Sequence, residues 1–456
     1  MKIVRTDKYD FVVCGGGAAG FSAAVSAARK GLRVALIEKH SFLGGTATAS
    51  GINQLLGGRK IDGSGKHIRV VGGIFDELTD SLIAANNAIE PNTVNPDFNP
   101  FGWYPRMASG ISCNETALKI KMDDMCRDAG VRVYFDTVIT DVEIGDRIDG
   151  VIVFNKDGFV RIEAESFADC TGDADVVAMC GLPFSKGRDE DGLMTPCSTE
   201  MHVENVDANA LVAYQNEHQS PKLVEIIERL RSEGIWDFDA EIFVTVRLLE
   251  EDVFLVNTLR QSGIDGTKEA DISSAIADGR RECIKLFDIM KAHFPGVANA
   301  RIRKIADSLG VRETRRIKGR YTVTVEDALS GRKYDDTVAA TTYNFDLPDP
   351  IRVSYDPMMG DVKNPNAGRK YIVIRLPYRA LLPQGIDNLI VAGRCVSVDR
   401  DVLGAARIIG PCFMMGQAAG VAASLAKGNF AQVDTDLLRK ILWEDGVLNP
   451  DCLPFE

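Results

Sequence analysis

The sequence has 456 residues, which suggests about two to three domains, and 45% of them are hydrophobic, ample for large cores. A formal net charge of −12 argues against nucleic acid or an anionic membrane as a partner, because both attract a basic surface. Ten cysteines without any C-x-x-C pair indicate neither a zinc site nor a redox dithiol, so no metal is expected and the cysteines are typical of core thiols in a reducing compartment.

The first predicted element is a strand, a glycine turn and a helix near the start of the chain. Phe11–Val13 is a short apolar run suited to a strand buried on both faces. A G-x-G-x-x-G pattern follows, in which the glycines make the turn, admit a pyrophosphate and let the helix pack on the strand. The helix N-terminus offers free N–H groups to phosphates. The predicted cofactor contacts of this turn are Gly15, Gly17, Ala18, Ala19 and Gly20.

A second strand and an acidic residue complete this unit. Val34–Ile37 is predicted to be the strand, and Glu38 lies 18 residues after Gly20, where a carboxylate can accept both ribose hydroxyls. The acid argues against a 2′-phosphate, so the ligand is FAD or NAD rather than NADP. The alternative is a glycine turn that binds nothing; the agreement of five separate parts argues against it.

The next segment carries a family resemblance. Glu38 and Lys39 are followed, four residues later, by Gly44, Gly45 and Thr46. This pattern resembles the FAD-binding oxidoreductases of the glutathione-reductase-like superfamily, and residues 40–51 are most similar to the fumarate reductase and FAD-dependent dehydrogenase branch. The resemblance implies that Lys39, Gly44, Gly45 and Thr46 contact FAD. Disulfide reductases have two cysteines directly after this motif, and none stands here, so that class is excluded.

Between residues 52 and 110 the sequence predicts one helix near Ile74–Asn86 and a long loop rich in Pro and Asn. A loop of this length is typical of a functional cover or of a disordered segment. Its aromatic residues favour an ordered cover: Phe98, Phe101, Trp103 and Tyr104.

Regular structure returns after this loop. Asn114–Gly130 is predicted to be a helix and Val131–Phe135 a strand, and a D-G turn predicts a hairpin of Ile148–Asn155 with Phe159–Ala164. The family resemblance implies that the backbone at Val138 lies against the adenine.

A strand entering Thr171, Gly172 and Asp173 resembles the second FAD motif of the same superfamily, in which the Thr-Gly turn lies beneath the cofactor. The alternative is a strand-to-helix turn capped by Asp173. The first motif favours the FAD interpretation.

Residues 181–375 have a different pattern of predicted elements from the first domain, a mixture of helices and alternating strands, and are predicted to form an inserted substrate domain. The sequence predicts helices at Pro221–Glu233, Asp239–Ser262 and Glu269–His293, and an alternating strand at Tyr321–Val325.

An arginine-rich segment at residues 309–321 is the candidate substrate site of this region. If it is extended, Arg312 and Arg316 share one face, with Glu313 and Arg315 on the other. Guanidinium groups near a flavin bind carboxylates or hydroxyl-rich substrates bidentately. The structural alternative, a strand held by salt bridges to Glu313 and Asp327, is at least as strong for any one arginine.

The C-terminal part returns to the style of the first domain. A buried strand ends in Gly393 and Arg394, and the glycine-rich stretch that contains Arg407, Gln417 and Ala418 resembles the C-terminal flavin motif. In the family, a Gly-rich loop and a helix N-terminus face the pyrimidine end of the flavin, where reduction places negative charge. The alternative is a close-packed apolar helix without a ligand. The helix at Pro411–Ala426 is too short for a membrane span.

The group that moves protons is harder to identify. Many relatives place a histidine before the C-terminal glycine loop, whereas this chain has Asp399, Arg400 and Asp401. Arg400 or Asp399 is therefore the candidate proton relay, with a loop salt bridge as the alternative. His40 lies in the cofactor loop, but its register argues against a covalent flavin link.

Together these observations predict an α/β fold with a Rossmann-like FAD-binding domain at 1–180 and 375–456 and an inserted α+β substrate domain at 181–374. The resemblance implies an FAD-dependent oxidoreductase, a dehydrogenase or reductase, that moves hydride between flavin N5 and a small polar organic substrate. No second G-x-G-x-x-G follows a strand, so a separate electron donor or acceptor is expected. The alternatives are a structural or non-redox flavin and a nucleotide-binding regulatory protein.

The first strand begins within about ten residues, which leaves no room for a signal peptide and predicts a cytoplasmic protein. Self-association into a homo-oligomer stays open.

Overall fold

The computed structural model of the chain describes residues 2–62, 64–93, 110–220, 222–352, 355–356, 360–361 and 373–455. The predicted aromatic cover of Phe98, Phe101, Trp103 and Tyr104 lies outside the described residues.

The strands of the described residues, in chain order, are β1 (Ile3–Cys14), β2 (Val34–Ile37), β3 (Gln54–Leu55), β4 (Arg59–Ile61), β5 (His67–Arg69), β6 (Ile111–Ser112), β7 (Arg132–Tyr134), β8 (Val138–Ile144), β9 (Ile148–Asn155), β10 (Gly158–Asp169), β11 (Phe184–Lys186), β12 (Met201–Glu204), β13 (Thr245–Arg247), β14 (Phe254–Val256), β15 (Arg301–Ile305), β16 (Arg315–Ile317), β17 (Thr337–Thr341), β18 (Tyr355–Asp356), β19 (Gly360–Asp361), β20 (Ile374–Pro377) and β21 (Leu389–Val391). The α-helices are α1 (Ala18–Arg29), α2 (Gly73–Ala84), α3 (Glu115–Ala129), α4 (Asp175–Met179), α5 (Ala208–Glu217), α6 (Val224–Ser232), α7 (Glu269–His293), α8 (Val325–Ser330), α9 (Arg400–Ala406), α10 (Ile409–Ala426) and α11 (Thr435–Glu444).

A seven-stranded sheet organises the fold. Its order is β7-β2-β1-β10-β9-β8, with β21 beside the last residues of β10. Strands β7, β2, β1, β10 and β21 run parallel, and β8 and β9 form an antiparallel edge. All four residues of β2 are buried, as expected for a strand covered on both faces. The parallel strands place the chain segments after Cys14, Ile37, Asp169 and Val391 at one edge, and the predicted α/β, Rossmann-like fold is confirmed.

Helices α1 and α10 pack against each other very closely on one face of this sheet. A Cβ at Gly416 would lie 2.0 Å from the Ala19 carbonyl oxygen, and one at Gly420 would lie 2.4 Å from the Ala23 oxygen. The Ser22 hydroxyl also donates to the Phe413 carbonyl at 3.0 Å. Among the described helices, α10 alone has the length and hydropathy of a membrane span, and 83% of that window is buried inside the protein. Its apolar character serves this packing.

The inserted region has a second hydrophobic core built on a four-stranded antiparallel sheet, β13-β14-β12-β15. Trp236 is among its fully buried side chains and donates to the Ala240 carbonyl oxygen at 2.8 Å. Core residues Met201, Val203, Phe254 and Leu286 come from strands and helix α7 alike, which is the expected α+β mixture.

Most predicted elements are confirmed to within a few residues. Helices α2, α3, α6 and α7, strand β7 and the β9–β10 hairpin stand where the sequence places them. In α3 the Asn114 side chain accepts the Ala117 N–H, and Gly130 takes the left-handed conformation after the last turn. These two caps define the helix bounds in the structure.

Two predicted elements are wrong. The stretch 239–262 contains strands β13 and β14 instead of a helix, because its β-branched and aromatic residues pair across a turn at residues 249–252. Residues 321–325 form no strand: helix α8 begins at Val325, where Thr324 and Asp327 make a reciprocal capping box.

The predicted boundary at residue 374 falls within an antiparallel strand pair. Strand β17 pairs with β20, and Val338 and Ala339 belong to the same hydrophobic core as helix α1. The end of the inserted region therefore packs as part of the FAD-binding half.

Candidate functional site

The glycine turn after β1 has the shape that the motif predicts. Gly15 has φ of 100°, and its N–H donates to the Ile37 carbonyl at 2.8 Å. A Cβ at Gly20 would lie 1.7 Å from the Gly15 oxygen, so only glycine fits there. The first and third glycines of the motif thus close the turn and seat α1 on the sheet.

Gly17 stands over open space. A Cβ added to it would meet no atom nearer than Gly45 Cα, at 3.9 Å. No side chain caps α1, and the N–H groups of Ala18, Ala19 and Gly20 have no acceptor within the described part of the chain. A cradle of free N–H groups at a helix N-terminus fits a pyrophosphate. We call the turn at Gly15–Gly20 the pyrophosphate cradle.

Glu38 is held by backbone groups on both sides of this cradle. Its Oε2 accepts the Gly16 N–H at 2.7 Å, and its Oε1 accepts the His40 N–H at 2.9 Å. Each carboxylate oxygen keeps a second lone pair, so the predicted ribose contact fits this arrangement. Lys39 is exposed beside it. His40 is stacked on Phe42, with ring centroids 5.4 Å apart, and burial lowers the pKa of His40.

Val138 begins β8 next to Glu38, at the edge of the sheet where strands β1, β2 and β10 end; we call the space at this edge the cofactor crevice. The backbone before it is tied to the cofactor loop, since the Thr137 N–H donates to the Glu38 carbonyl at 3.0 Å. Val138 is 50% exposed, so its predicted contact with adenine fits this placement.

The Gly44–Gly51 loop joins the cradle to the inserted region. Gly44 donates its N–H to the Gly16 carbonyl at 2.9 Å, and Gly45 and Thr46 begin a short 3-10 turn beside Gly17. At the far end of the loop, Ser50 donates to the Leu309 carbonyl at 3.1 Å and His202 Nε2 lies 2.8 Å from the Gly51 oxygen. The inserted region therefore covers this loop.

The second motif is tied together by Arg394. This side chain donates to the Gly172 carbonyl oxygen, to the Val311 carbonyl oxygen and to Asp173, at 2.8, 2.9 and 2.8 Å. Burial acts to lower the pKa of Arg394, but the Asp173 carboxylate raises it overall. The sequence predicts that Asp173 and Arg394 bind the cofactor. In the structure these two side chains bind each other, and Arg394 connects its own segment to the segments at Gly172 and Val311. Thr171, Gly172 and Asp173 stay partly exposed to the crevice.

A buried carboxyl group lies directly beneath this turn. Asp169 is fully buried and accepts bonds from Thr171 and from the Val177 N–H. Burial raises the pKa of Asp169 to about 6, against the opposing effect of these donors.

The C-terminal motif is placed differently from the prediction at two residues. Ala418 is fully buried and Gln417 is 4% exposed, so neither offers surface to a ligand. The Gln417 Oε1 accepts the Ile74 N–H at 2.9 Å and so caps α2. The structure thus assigns both residues to packing between α10, α1 and α2. The predicted glycine loop is also helical, since Gly404 lies within α9. Gly393 has φ of 105° beside Ala19, and Arg407 follows α9 at the crevice.

The arginine-rich segment lies against the second motif. The Thr314 hydroxyl donates to Asp173 at 2.7 Å, and Arg315 donates to the Asp173 carbonyl and to Asp175. Strand β16 begins only at Arg315, so the condition for a face shared by Arg312 and Arg316, a strand that includes both residues, is not met. Arg312 donates to the Pro196 carbonyl instead, at 2.9 Å.

Glu313 is the buried centre of this segment. Its side chain has no exposed surface and accepts bonds from Arg316 Nη1 at 2.8 Å, from Arg400 Nε at 3.0 Å and from the Thr195 N–H at 2.9 Å. We call Arg316, Glu313 and Arg400 the ion triad. Burial lowers the pKa of Arg316, and Glu313 opposes that shift. Arg400 Nη2 lies 3.0 Å from the carboxylate but is not aligned to donate to it, so one buried donor stays free.

Asp399 stands apart from the ion triad. Its Oδ2 accepts the Val325 N–H at 2.9 Å and so caps α8. Of the two adjacent residues proposed as a proton relay, only Arg400 contacts Glu313. The part of the prediction that concerns Asp399 is not supported.

The sequence analysis missed the role of Glu313 as an acceptor between two arginines. It also did not identify Asn257 and Arg260 as residues of this region. Glu313 and Arg400 are 87 residues apart, and no local pattern pairs them. Asn257 and Arg260 lie in the stretch that the sequence assigned to a helix, where an arginine reads as a solvated side chain. Within the described residues, no group of three or more His, Cys, Asp or Glu side chains could hold a metal ion.

Comparisons with known proteins extend over nearly the whole chain. A family model described as FAD dependent oxidoreductase matches residues 10–442. Over 49 residues the chain is 43% identical to mitochondrial glycerol-3-phosphate dehydrogenase of Saccharomyces cerevisiae, a match that spans 11% of this chain and only 8% of that protein.

Solved structures of low identity also resemble the chain. A geranylgeranyl bacteriochlorophyll reductase-like protein from Thermoplasma acidophilum is 12% identical, with a TM-score of 0.48, over 97% of this chain and 84% of that one. The myxobacterial chondrochloren halogenase, an FAD-dependent halogenase, is 13% identical, with a TM-score of 0.47, over 95% of this chain and 78% of that one.

Proposed function

The chain belongs to the FAD dependent oxidoreductase family, and from that premise we propose that it moves a hydride between its FAD and a small polar organic substrate, oxidising or reducing a C–C or C–O bond. The bound cofactor supplies two-electron transfer at its ring system. The residues of the chain supply binding, orientation and proton transfer.

The ion triad is the observation that carries this proposal. Its segment is anchored to the second FAD motif by Val311, Thr314 and Arg315, so Glu313 and its arginines lie beside the cofactor crevice. A fully buried carboxylate between two arginines is costly to maintain and adds little net stability. Groups with perturbed pKa values cluster at functional sites, and the lowered pKa of Arg316, caused by burial, favours a role of the triad in the reaction.

Within the triad, we propose that Arg400 Nη2 is the group that donates a proton to the substrate. This nitrogen is buried and lies 3.0 Å from a Glu313 oxygen without an aligned hydrogen bond to it, so an N–H of Nη2 can donate to a substrate oxygen. Glu313 holds the same edge of the guanidinium through both carboxylate oxygens, at 3.0 and 3.1 Å from Arg400 Nε. Arg316 neutralises Glu313 and orients it.

A second group of charged side chains acts electrostatically on the triad. Asp191 and Asp349 both bind Arg188, and the positive charge of Arg400 helps to lower the pKa of each carboxyl group. In Asp191 the bond to Arg188 is the main cause of that lowering; in Asp349 burial opposes it. Both carboxyl groups therefore stay ionised at neutral pH and add negative charge to the surroundings of Arg400.

A separate electron carrier or oxygen completes the turnover, since the sequence has no second dinucleotide motif. The second candidate function keeps FAD in a structural or non-redox role. Anaerobic bleaching of the flavin absorbance by an organic metabolite would favour the first function over the second. The screen should include succinate, lactate and glycerol 3-phosphate.

The ion triad is tested by Arg400→Gln, with Asp399→Asn as the matched control at the next residue. Asn can still accept the Val325 N–H, so the control preserves the α8 cap. We expect Arg400→Gln to keep its FAD and to lower turnover by about 100-fold or more, a typical loss for a proton donor. The control should stay within about twofold of wild type. Unchanged steady-state kinetics in Arg400→Gln would overturn the assignment.

A further inference from the structure

Two arginine side chains of the inserted region meet on one neutral oxygen. Asn257 Oδ1 accepts a bond from Arg260 Nη1 at 2.7 Å and lies 3.3 Å from Arg312 Nη2, so the two nitrogens are within about 6 Å. Their other acceptors are backbone carbonyls, of Asn257 and Leu259 for Arg260 and of Pro196 for Arg312. No carboxylate of the described residues lies within 4.0 Å of either side chain. We call Arg260, Arg312 and Asn257 the arginine pair.

This pair is electrostatically unfavourable as it stands. Arg312 is 9% exposed, and burial lowers the pKa of Arg260 to about 9, with a further contribution from the charge of Arg312. Two acids, Glu200 and Asp346, act to raise the pKa of Arg260 against the effect of burial. Glu200 is fully buried, binds Ser198 and leaves Oε2 without a hydrogen-bond partner. Burial raises the pKa of Glu200, although both arginines oppose that shift. With Arg407, which also acts on Arg260, three guanidinium groups stand against these two carboxyl groups among the described residues, so the cluster lacks one negative charge.

The pair also faces the cofactor side of the inserted region. Arg407, between α9 and α10, has a buried Nε without an acceptor, and it lies close enough to Arg260 to help lower its pKa. Arg312 follows Val311, whose carbonyl binds Arg394 of the second motif. The missing charge would therefore sit where the inserted region meets the C-terminal flavin segment.

We propose that the arginine pair is a subsite for an oxyanion of the substrate, a carboxylate or a phosphate. This inference rests on the proposed function and narrows its substrate class from polar to anionic. Two guanidinium groups that converge on one point can each donate to a bound oxyanion, and such charge-assisted bonds are the strong ones. The anion would supply the negative charge that the described residues lack, and Asn257 would fix the spacing of the two donors.

The test uses the purified holoenzyme and isothermal titration with three probes: succinate, inorganic phosphate and, as the neutral analogue, succinamide. We expect binding of at least one anion and none of succinamide. Arg260→Gln and Arg312→Gln should each weaken that binding by about tenfold or more, from the loss of one charged bond. Arg229→Gln removes one charge from an exposed pair with Glu233 on α6 and should change the affinity by less than about twofold. Succinate and phosphate titrated separately decide between a carboxylate and a phosphate site.

A second measurement separates a binding role from a structural one. In buffer without these anions, Arg260→Gln should raise the unfolding temperature or leave it unchanged, because it removes a buried charge and a like-charge contact. The preferred anion should raise the unfolding temperature of wild type but not of this variant. The proposal is overturned if no anion binds at about 50 mM, or if both variants bind as wild type does. Anion binding to a holoenzyme whose flavin no organic metabolite of the screen bleaches would contradict the proposed function while leaving the subsite intact.

Discussion

Arg400 Nε lies 3.0 and 3.1 Å from the two oxygens of Glu313, a carboxylate with no exposed surface. The two residues are 87 positions apart, on a segment of the inserted region and on the first turn of α9. This pair joins the two parts of the fold at the cofactor crevice, and the chemistry that we propose depends on it.

Removal of the Glu313 charge should lower the free energy of unfolding substantially. Glu313→Gln leaves two buried guanidinium groups without a counter-charge, and the loss of one member of a buried ion pair costs about 3 to 5 kcal/mol. Urea unfolding measures the change. Glu233→Gln, in an exposed pair with Arg229, should cost less than about 1 kcal/mol. Equal losses in the two variants would show that the triad is not an interdependent buried group.

Gly17 and Gly20 should respond differently to the same substitution. Gly17→Ala meets only open space, so the protein should fold normally but bind FAD about tenfold or more weakly, since the methyl group occupies the place of the pyrophosphate. Gly20→Ala clashes with the Gly15 oxygen and should prevent stable folding.

Gly145→Ala is the control for these two variants. Its Cβ would meet nothing within 4 Å, and its φ lies outside the left-handed region. FAD titration and thermal unfolding of the three variants check the prediction. Wild-type FAD affinity in Gly17→Ala would mean that the cradle does not hold the pyrophosphate.

The contact between α1 and α10 should tolerate no added atom. Gly416→Ala places a methyl group 2.0 Å from the Ala19 carbonyl, so the helices must separate, at a cost of about 1 to 3 kcal/mol or more. Because α1 also forms the cradle, FAD affinity should fall with stability. A variant as stable as wild type in urea would contradict the described packing.

Asp169 should make stability depend on pH between about 4 and 6. Burial raises its pKa to about 6 in the folded protein, against about 3.9 in the unfolded chain. The folded state therefore holds a proton that the unfolded state has lost, and this contribution to stability is present at low pH and disappears as the pH rises through 6. Relative to Asp169→Asn, wild type should lose about 2 kcal/mol between pH 4 and pH 7.

Asp327 provides the opposite case. Burial would raise its pKa, but Tyr321 and Arg332 lower it to about 2, so Asp327 stays ionised in both states above about pH 5. The stability difference between wild type and Asp327→Asn should not change between pH 5 and pH 7. Urea unfolding at pH 4, 5, 6 and 7 tests both residues, and a pH-independent difference for Asp169→Asn would refute the prediction.

The sequence predicted the cofactor half of the molecule well, because its signals are local. The spacing of Gly15, Gly17 and Gly20 is set by one turn, and the Asn114 and Gly130 caps mark the ends of one helix. Each of these residues interacts with groups only a few positions away in the chain, so the sequence pattern alone predicts the local structure.

The inserted region was harder, because its contacts depend on tertiary structure. Arg400 and Asp399 are neighbours in sequence, yet one binds Glu313 and the other caps α8. Gln417 stands in a motif that predicts flavin contact, yet it caps α2, because α10 packs too closely on α1 to leave its side chain exposed. No sequence periodicity distinguishes such partners.

The most direct test of the central claim is an absorption spectrum of the purified protein, taken before and after acid precipitation, with Gly17→Ala in parallel. Wild type should show flavin bands near about 370 and 450 nm that remain in the supernatant, which establishes non-covalent FAD. Gly17→Ala should be folded but nearly colourless until FAD is added in excess. Colour retained in the pellet would indicate a covalent link and return attention to His40. A colourless wild-type protein that fails to take up added FAD would contradict the account at its foundation.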